Sequence, residues 1–192
     1  MEKFFNIIYR LRTIKRWNTS YCNVKESVAE HCFYVALIAE LLYEIDLKNE
    51  VIDDKEVDLT TLLIHSLYHD SFESYSSHIV SPIRKVSYAT NKGFDTMRTA
   101  YKNRILNLIP NDQNSLIKQS LIDVNEKIIK YTELADSLEA YIYSVFEIHS
   151  GNNDFINKKV LAENKINELS EKYYCIKVFL DNFFDENFEI CY

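Results

Sequence analysis

Hydrophobic positions recur along most of this chain at spacings of three and four, the period of helices that bury one face. Residues 2 to 14 set Phe4, Ile7, Ile8 and Leu11 against Arg10 and Arg12, which predicts a short amphipathic helix. After Arg16, Trp17 and a polar stretch through Asn23, a second helix is expected to begin near Glu26 or Ser27. Its buried stripe is Val28, His31, Val35, Ile38 and Leu42. Residues 46 to 55 are acidic and polar and read as a loop. A third helical stretch, Leu62 to Tyr68, runs into the adjacent pair His69 and Asp70. Beyond the serine-rich residues 71 to 81, Pro82 suits the first turn of another helix. Lys92 and Gly93 are expected to break or bend that pattern, which resumes from Phe94 through Leu108 and ends in the turn Pro110, Asn111, Asp112. Residues 115 to 148 read as helix with one interruption, Ser150 to Asp154 as a loop, and 157 to about 179 as one final helix before an aromatic end, Phe183, Phe184, Phe188 and Tyr192.

Composition sharpens this to an all-α reading. Two Gly and two Pro in 192 residues are too few for a fold made of many tight β-turns. The length suits one domain, 1–192, with a substantial core. A formal charge of −7 argues against a nucleic-acid polymer as partner. Cys22, Cys32, Cys175 and Cys191 form no metal-finger spacing and read as reduced thiols. No run is long and apolar enough to span a membrane. Glu2, Lys3, Arg10 and Arg12 interrupt the N-terminal apolar residues, so no signal peptide is expected and the protein is assigned to the cytoplasm.

Three helical stretches carry groups able to ligate a metal: His31, then His69 with Asp70, then Asp136. Neighbouring residues diverge by about 100° on a helix, so His69 and Asp70 can serve one ion only near a helix end. A carboxylate in apolar sequence such as Asp136 needs a cation or several donors. Two imidazoles and two carboxylates would leave coordination positions open for water and substrate. The other reading, histidines merely hydrogen-bonded in the core, stays open on spacing alone. His65 shares the face of His69 and reads as a core neighbour.

The flanking residues carry a resemblance. It rests on Arg10-Leu11-Arg12, Arg16-Trp17, Glu26-Ser27-Val28-Ala29-Glu30-His31, Tyr68-His69-Asp70-Ser71-Phe72-Glu73, Ser81-Pro82-Ile83-Arg84-Lys85, Ala135 to Tyr141 and Gly151 to Phe155. In this order and at these distances the chain resembles the HD-domain phosphohydrolases, and most of all the YfbR-like 5′-nucleotidases. The resemblance implies an all-helical bundle with an interior divalent-metal site, a homodimer, and hydrolysis of (deoxy)nucleoside 5′-monophosphates to nucleoside and phosphate. It implies His31, His69, Asp70 and Asp136 as ligands of one ion (Co, Mn, Fe, Zn or Mg), with Glu73 acting on water beside it. Arg16 corresponds to a family arginine beside the site, suited to phosphate. Trp17 either stacks on the nucleoside or packs the first helix, and Arg84 and Lys85 are further cations for the phosphate. One departure stands out: His78 occupies the place of a family aspartate tied to proton transfer, and Ser77 that of the preceding glycine. That substitution keeps open a nucleotide-binding relative with weakened catalysis, and a deoxynucleoside triphosphate triphosphohydrolase on the same scaffold is a further alternative.

Overall fold

A computed structural model describes residues 3–80, 83, 86–110, 115–122 and 124–187. Among the described residues there is no strand. The one β-bridge pairs Lys15 with Ser27. In chain order the helices are α1 (Phe4–Tyr9), continued by a 3-10 turn (Arg10–Arg12), α2 (Val28–Lys48), α3 (Leu59–Tyr68), α4 (Glu73–Ser76), α5 (Tyr88–Leu106), α6 (Ser115–Ile122), α7 (Glu126–His149), α8 (Ile156–Ser170) and α9 (Tyr174–Asn182). The all-α expectation is met.

The core lies where α2 and α7 pack side by side, with α3 against both, α9 against α2 and α8 against α7. Val35, Ala39 and Leu42 of α2, Leu62 of α3, Ala135 and Leu138 of α7, Ile166 of α8, and Cys175 and Ile176 of α9 are almost completely buried there. Each such side chain contributes on the order of 1.5–3 kcal/mol by leaving water. This core makes α2, α3 and α7 a rigid frame, and the three predicted ligand stretches all sit on it.

Several sequence expectations change. The acidic stretch does not begin as a loop: α2 continues to Lys48, and Asp46 turns inward, where the Tyr131 hydroxyl donates to its Oδ2 at 2.7 Å. Its apolar neighbours Ile45 and Leu47 extend the stripe, and a hydrogen bond makes the inward carboxylate tolerable. Gly93 does not break α5, which runs through it. A helical glycine costs about 1 kcal/mol relative to alanine, too little to end a 19-residue helix capped at its start by Ser87 and buried at its end through Ile105 and Leu106. The final helix divides at Glu171–Tyr173, where Tyr173 becomes extended (φ −125°, ψ 113°), with no glycine or proline to signal it. The helix start expected at Pro82, and Arg84, Lys85, Phe188, Cys191 and Tyr192, lie outside the described residues. No described helix is long and apolar enough to cross a membrane.

Candidate metal and phosphate site

The site is assembled at helix ends. Ser27 caps α2: its side chain accepts from the Glu30 N–H while the Glu30 carboxylate accepts from the Ser27 N–H, a reciprocal capping box. That fixes the first turn and turns His31, fully buried, toward α7. Helix α3 ends at Tyr68, so His69 is its C-terminal cap and Asp70 lies just beyond. The chain's departure from the helix solves the 100° problem. His69 Nε2 lies 3.4 Å from Asp70 Oδ2, and His31 Nε2 lies 3.8 Å from the same oxygen. Asp136, on α7, places Oδ1 3.3 Å from His31 Nε2.

Donors about 2.1 Å from one ion stand about 3.0–3.4 Å apart, close to the spacings seen. His31, His69 and Asp136 each offer an atom within 4.8 Å of the others, a cluster able to hold a metal. A stronger indication is what the two imidazoles lack. His31 Nδ1 lies 2.7 Å from Glu139 Oε2, and His69 Nδ1 lies 2.7 Å from the carbonyl of Ser66. The His69 Nδ1–H therefore donates to that carbonyl, which leaves its Nε2 with a lone pair, whereas His31 Nδ1 is flanked by both Glu139 and the Nη1 of Arg16. Both Nε2 atoms are buried and have no hydrogen-bond partner. Two converging buried ring nitrogens without a partner, set among carboxylates, are a place that a cation would satisfy, whether a metal ion or, at His31, a proton.

The electrostatics agree. Burial alone would lower the His31 imidazole, and Arg16 lowers it further, yet Glu139 and Asp136 raise it to about 10. Burial would raise the Asp136 carboxyl, but contact with His31 and the charges of His31 and Arg16 hold it well below the usual carboxylate range. Asp70 is likewise lowered: burial opposes it, and His69 and His31 win. In the protein without an ion, a proton on His31 stands in for the positive charge the cluster demands. The Asp136 side chain still meets solvent over 47% of its surface, so the cluster has an open side.

Arg16 comes from the loop closed by the Lys15–Ser27 bridge and is drawn inward, with only 9% of its side chain exposed. Its Nη1 donates to Glu139 Oε2 at 2.5 Å and to Glu26 Oε2 at 3.2 Å, and its Nη2 is 3.9 Å from Asp136. Around this guanidinium Glu26 is raised by burial and then by Glu139, while Glu139 is lowered by Arg16 and His31 against its burial. Trp17 is not brought to the cluster. It stacks on Tyr143 at 5.7 Å and meets Phe155 edge-on at 5.3 Å, so its ring packs the loop against α7.

Glu73 opens α4, one turn beyond Asp70, and is buried. Burial raises its carboxyl even though His78 Nδ1 lies 3.2 Å from each of its oxygens. The two residues expected to move protons are thus a hydrogen-bonded pair. The residues that sequence reasoning missed are Glu139, Glu26 and Arg98. Glu139 had a legible signal: three residues past Asp136 on a helix, it shares that face. Arg98, on α5, reaches 3.9 Å from Asp70 with no comparable signal.

The family model described as 5′-deoxynucleotidase YfbR-like matches residues 3–187. The chain belongs to the YfbR-like family. It is 33% identical over 190 residues to the 4′-phosphooxetanocin A phosphatase of Priestia megaterium, spanning 99% of this chain and 95% of that protein. It is 27% identical over 189 residues to the 5′-deoxynucleotidase PM0747 of Pasteurella multocida, spanning 95% and 94%. Among solved structures, an HD-domain phosphohydrolase of Listeria innocua superposes with a TM-score of 0.72 at 23% identity, over 94% of this chain and 85% of that one. PH0347 of Pyrococcus horikoshii superposes with a TM-score of 0.69 at 18% identity, over 93% and 95%. The fold is the HD-domain fold, and this YfbR-like chain is a hydrolase. The glycine expected from YfbR-like chains before the proton-transfer residue now has a physical reason. Ser77 there has φ +61° and ψ 172°, a region almost confined to glycine.

Proposed function

We propose that this protein hydrolyses (deoxy)nucleoside 5′-monophosphates to nucleoside and inorganic phosphate. The reading is carried by the two buried Nε2 atoms of His31 and His69, which converge on Asp70 and Asp136 with no partner of their own. Family membership and the named activities of the Priestia and Pasteurella relatives support the same substrate class. Those four side chains would hold one divalent ion, and two nitrogens with carboxylate oxygens suit Mn, Co, Fe or Zn, with Mg also in the set. When bound, such an ion supplies Lewis acidity toward a phosphoryl oxygen and acidifies water.

The chain's own residues supply the rest. Glu73, its carboxyl raised by burial, takes a proton from the attacking water. His78 shares a hydrogen bond with Glu73, and that contact suits it to relay the proton toward the departing 5′ oxygen. Arg16 holds Glu139, and Glu139 holds the His31 ring, so the arginine orients a ligand and offsets the charge of Asp136. In this reading the enzyme works in the cytoplasm as a homodimer. Phe33, Tyr34 and Leu37 give α2 an exposed apolar face suited to a second copy.

The test is a phosphate-release screen over nucleoside mono- and triphosphates with each of the five ions. Release of phosphate from monophosphates supports the reading, and release of triphosphate assigns the chain to the triphosphohydrolase chemistry instead. His69→Ala should abolish both metal binding and turnover; full activity in that variant refutes the ligand assignment.

A further inference from the structure

The stretch Gly151 to Phe155 carries part of the family resemblance but holds no metal ligand and no proton carrier. Its geometry gives it another task. Gly151 has φ +88°, a left-handed turn that brings the chain back onto the end of α7. The next residue, Asn152, reaches the carboxylate of Glu147, its Nδ2 donating to Oε2 at 2.6 Å. Glu147 is fully buried. Two backbone N–H groups of the loop before α2 also donate to it, Asn23 to Oε2 at 2.9 Å and Val24 to Oε1 at 2.8 Å. The Tyr143 hydroxyl bridges Oε1, at 3.1 Å, and the Val24 carbonyl, at 2.6 Å. Asn152 Nδ2 also reaches the carbonyl of Tyr21 at 3.0 Å. A buried carboxylate is tolerated where donors surround it, and here most of those donors belong to the loop that carries Arg16 and Trp17.

The same loop touches the reacting groups at its other end. Arg16 enters the cluster through Glu139 and Glu26. Trp17 has φ +54°, a conformation that a bulky residue keeps only where its surroundings hold it, and its ring is held by Tyr143 and Phe155. Asn18 Nδ2 donates to the backbone carbonyl of His78 at 2.8 Å, which ties the loop to the partner of Glu73. Residues 17–24 thus join an anchor on α7 to two segments of the site.

We propose that Glu147, aided by Asn152, is a positioning residue for phosphate-ester hydrolysis: it docks residues 17–24 on α7, and the docked loop sets Arg16 at the cluster and His78 at Glu73. The inference rests on the phosphohydrolase reading above and adds to it the device that places its parts. A carboxylate is needed because the loop presents a backbone N–H to each of its oxygens. A glutamine there, turned either way, sets its NH2 group against the N–H of Asn23 or of Val24 and leaves a buried donor unpaired.

The test compares metal-loaded wild type with Glu147→Gln, Asn152→Ala and Asn18→Ala. Trp17 is the chain's only tryptophan, so its fluorescence reads the loop independently of activity. Turnover, metal affinity and melting temperature are recorded beside it. Glu147→Gln should shift the Trp17 emission to the red, raise its quenching by acrylamide and lower kcat by about tenfold, the effect of one unpaired buried donor. Its metal affinity should not change, because His31, His69, Asp70, Asp136 and Glu139 all lie outside the loop. Asn152→Ala should move both readouts the same way by a smaller factor, and it serves as the test if Glu147→Gln does not fold. Asn18→Ala should leave the emission in place and lower kcat about threefold with KM unchanged, since it frees His78 alone. Wild-type turnover in Glu147→Gln overturns the proposal whatever happens to its melting temperature, for Glu147 would then serve stability only. So does a loss of turnover matched by an equal loss of metal affinity, which would mean that the effect passes through His31. An unaltered kcat in Asn18→Ala overturns the link to His78. If the emission shifts as expected but wild type cleaves no nucleotide, the docking stands and the nucleotidase reading falls.

Discussion

Glu139 is the residue whose removal most directly tests how the site is built. It is 4% exposed, and its Oε2 serves two cationic neighbours, His31 Nδ1 at 2.7 Å and Arg16 Nη1 at 2.5 Å. In an effective dielectric of about 20, a unit pair at that separation attracts by about 6 kcal/mol, most of it offset by the cost of taking both groups out of water. Breaking a buried pair by removing one partner costs about 3–5 kcal/mol. Here Glu26 remains 3.2 Å from Arg16 and cushions the loss, so Glu139→Gln should destabilise the fold by about 2–3 kcal/mol. The second effect separates function from stability. Glu139 holds the His31 ring so that Nε2 faces the cluster, and loss of such a support lowers metal affinity by about 10–100-fold. Glutamine keeps an acceptor for the Nδ1–H but loses the charge, so it should fall near the tenfold end and Glu139→Ala near the hundredfold end. Competition with a chromophoric chelator reads the affinity, and thermal unfolding with and without metal reads the stability. If Glu139→Gln binds metal within twofold of wild type while its melting temperature drops, Glu139 is only a counter-charge for Arg16, and the account of His31 orientation is wrong.

Other expectations follow from particular positions. Ser77 sits at φ +61° and ψ 172°, so Ser77→Gly should relieve strain of about 1–3 kcal/mol, less the roughly 0.4–1 kcal/mol by which glycine favours the unfolded chain. The net gain shows as a higher denaturation midpoint, and a loss would mean that the backbone there is not strained. An added Cβ at Gly93 meets nothing within 4 Å, so Gly93→Ala should stabilise α5 by about 0.5–1 kcal/mol, measured in the same way. His31 is raised from 6.5 to about 10 when no ion is present, so the folded protein binds that proton more tightly than the unfolded chain does. Stability from this group is complete below pH 6.5 and is lost as pH rises through 10; Glu26, raised from 4.5, acts in the same direction. Chelator-treated protein should therefore melt at falling temperature from pH 6.5 upward while its metal affinity rises, and a flat melting profile would contradict the buried imidazolium.

How far the sequence could be read follows the range of each interaction. The stripe Val28, His31, Val35, Ile38, Leu42 places His31 in the interior because helical period and burial are local and repeat. The cap at Ser27 was equally legible, since Ser27 and Glu30 answer each other within one turn. Gly93 misled because a propensity of about 1 kcal/mol is small beside the cap at Ser87 and the other residues of α5 that favour continuing the helix. The division at Glu171–Tyr173 left no mark, because neither residue type resists a helix and only the packing of α9 against α2 requires the turn. Asp46 misled for a related reason: its acceptor role depends on Tyr131, 85 positions away.

The same distinction explains the site. The proposed ligands His31, His69, Asp70 and Asp136 sit in local patterns that a family resemblance can pick out without any geometry. What those residues require of their surroundings is not local. An imidazole that must keep its Nε2 lone pair free needs an acceptor at Nδ1, and for His31 that acceptor is 108 positions away on α7. An acceptor so placed is a buried carboxylate and needs a cation, and Arg16 supplies it from 123 positions away. The chain of requirements runs from imidazole to carboxylate to guanidinium, and each step is fixed by the charge left unbalanced at the step before.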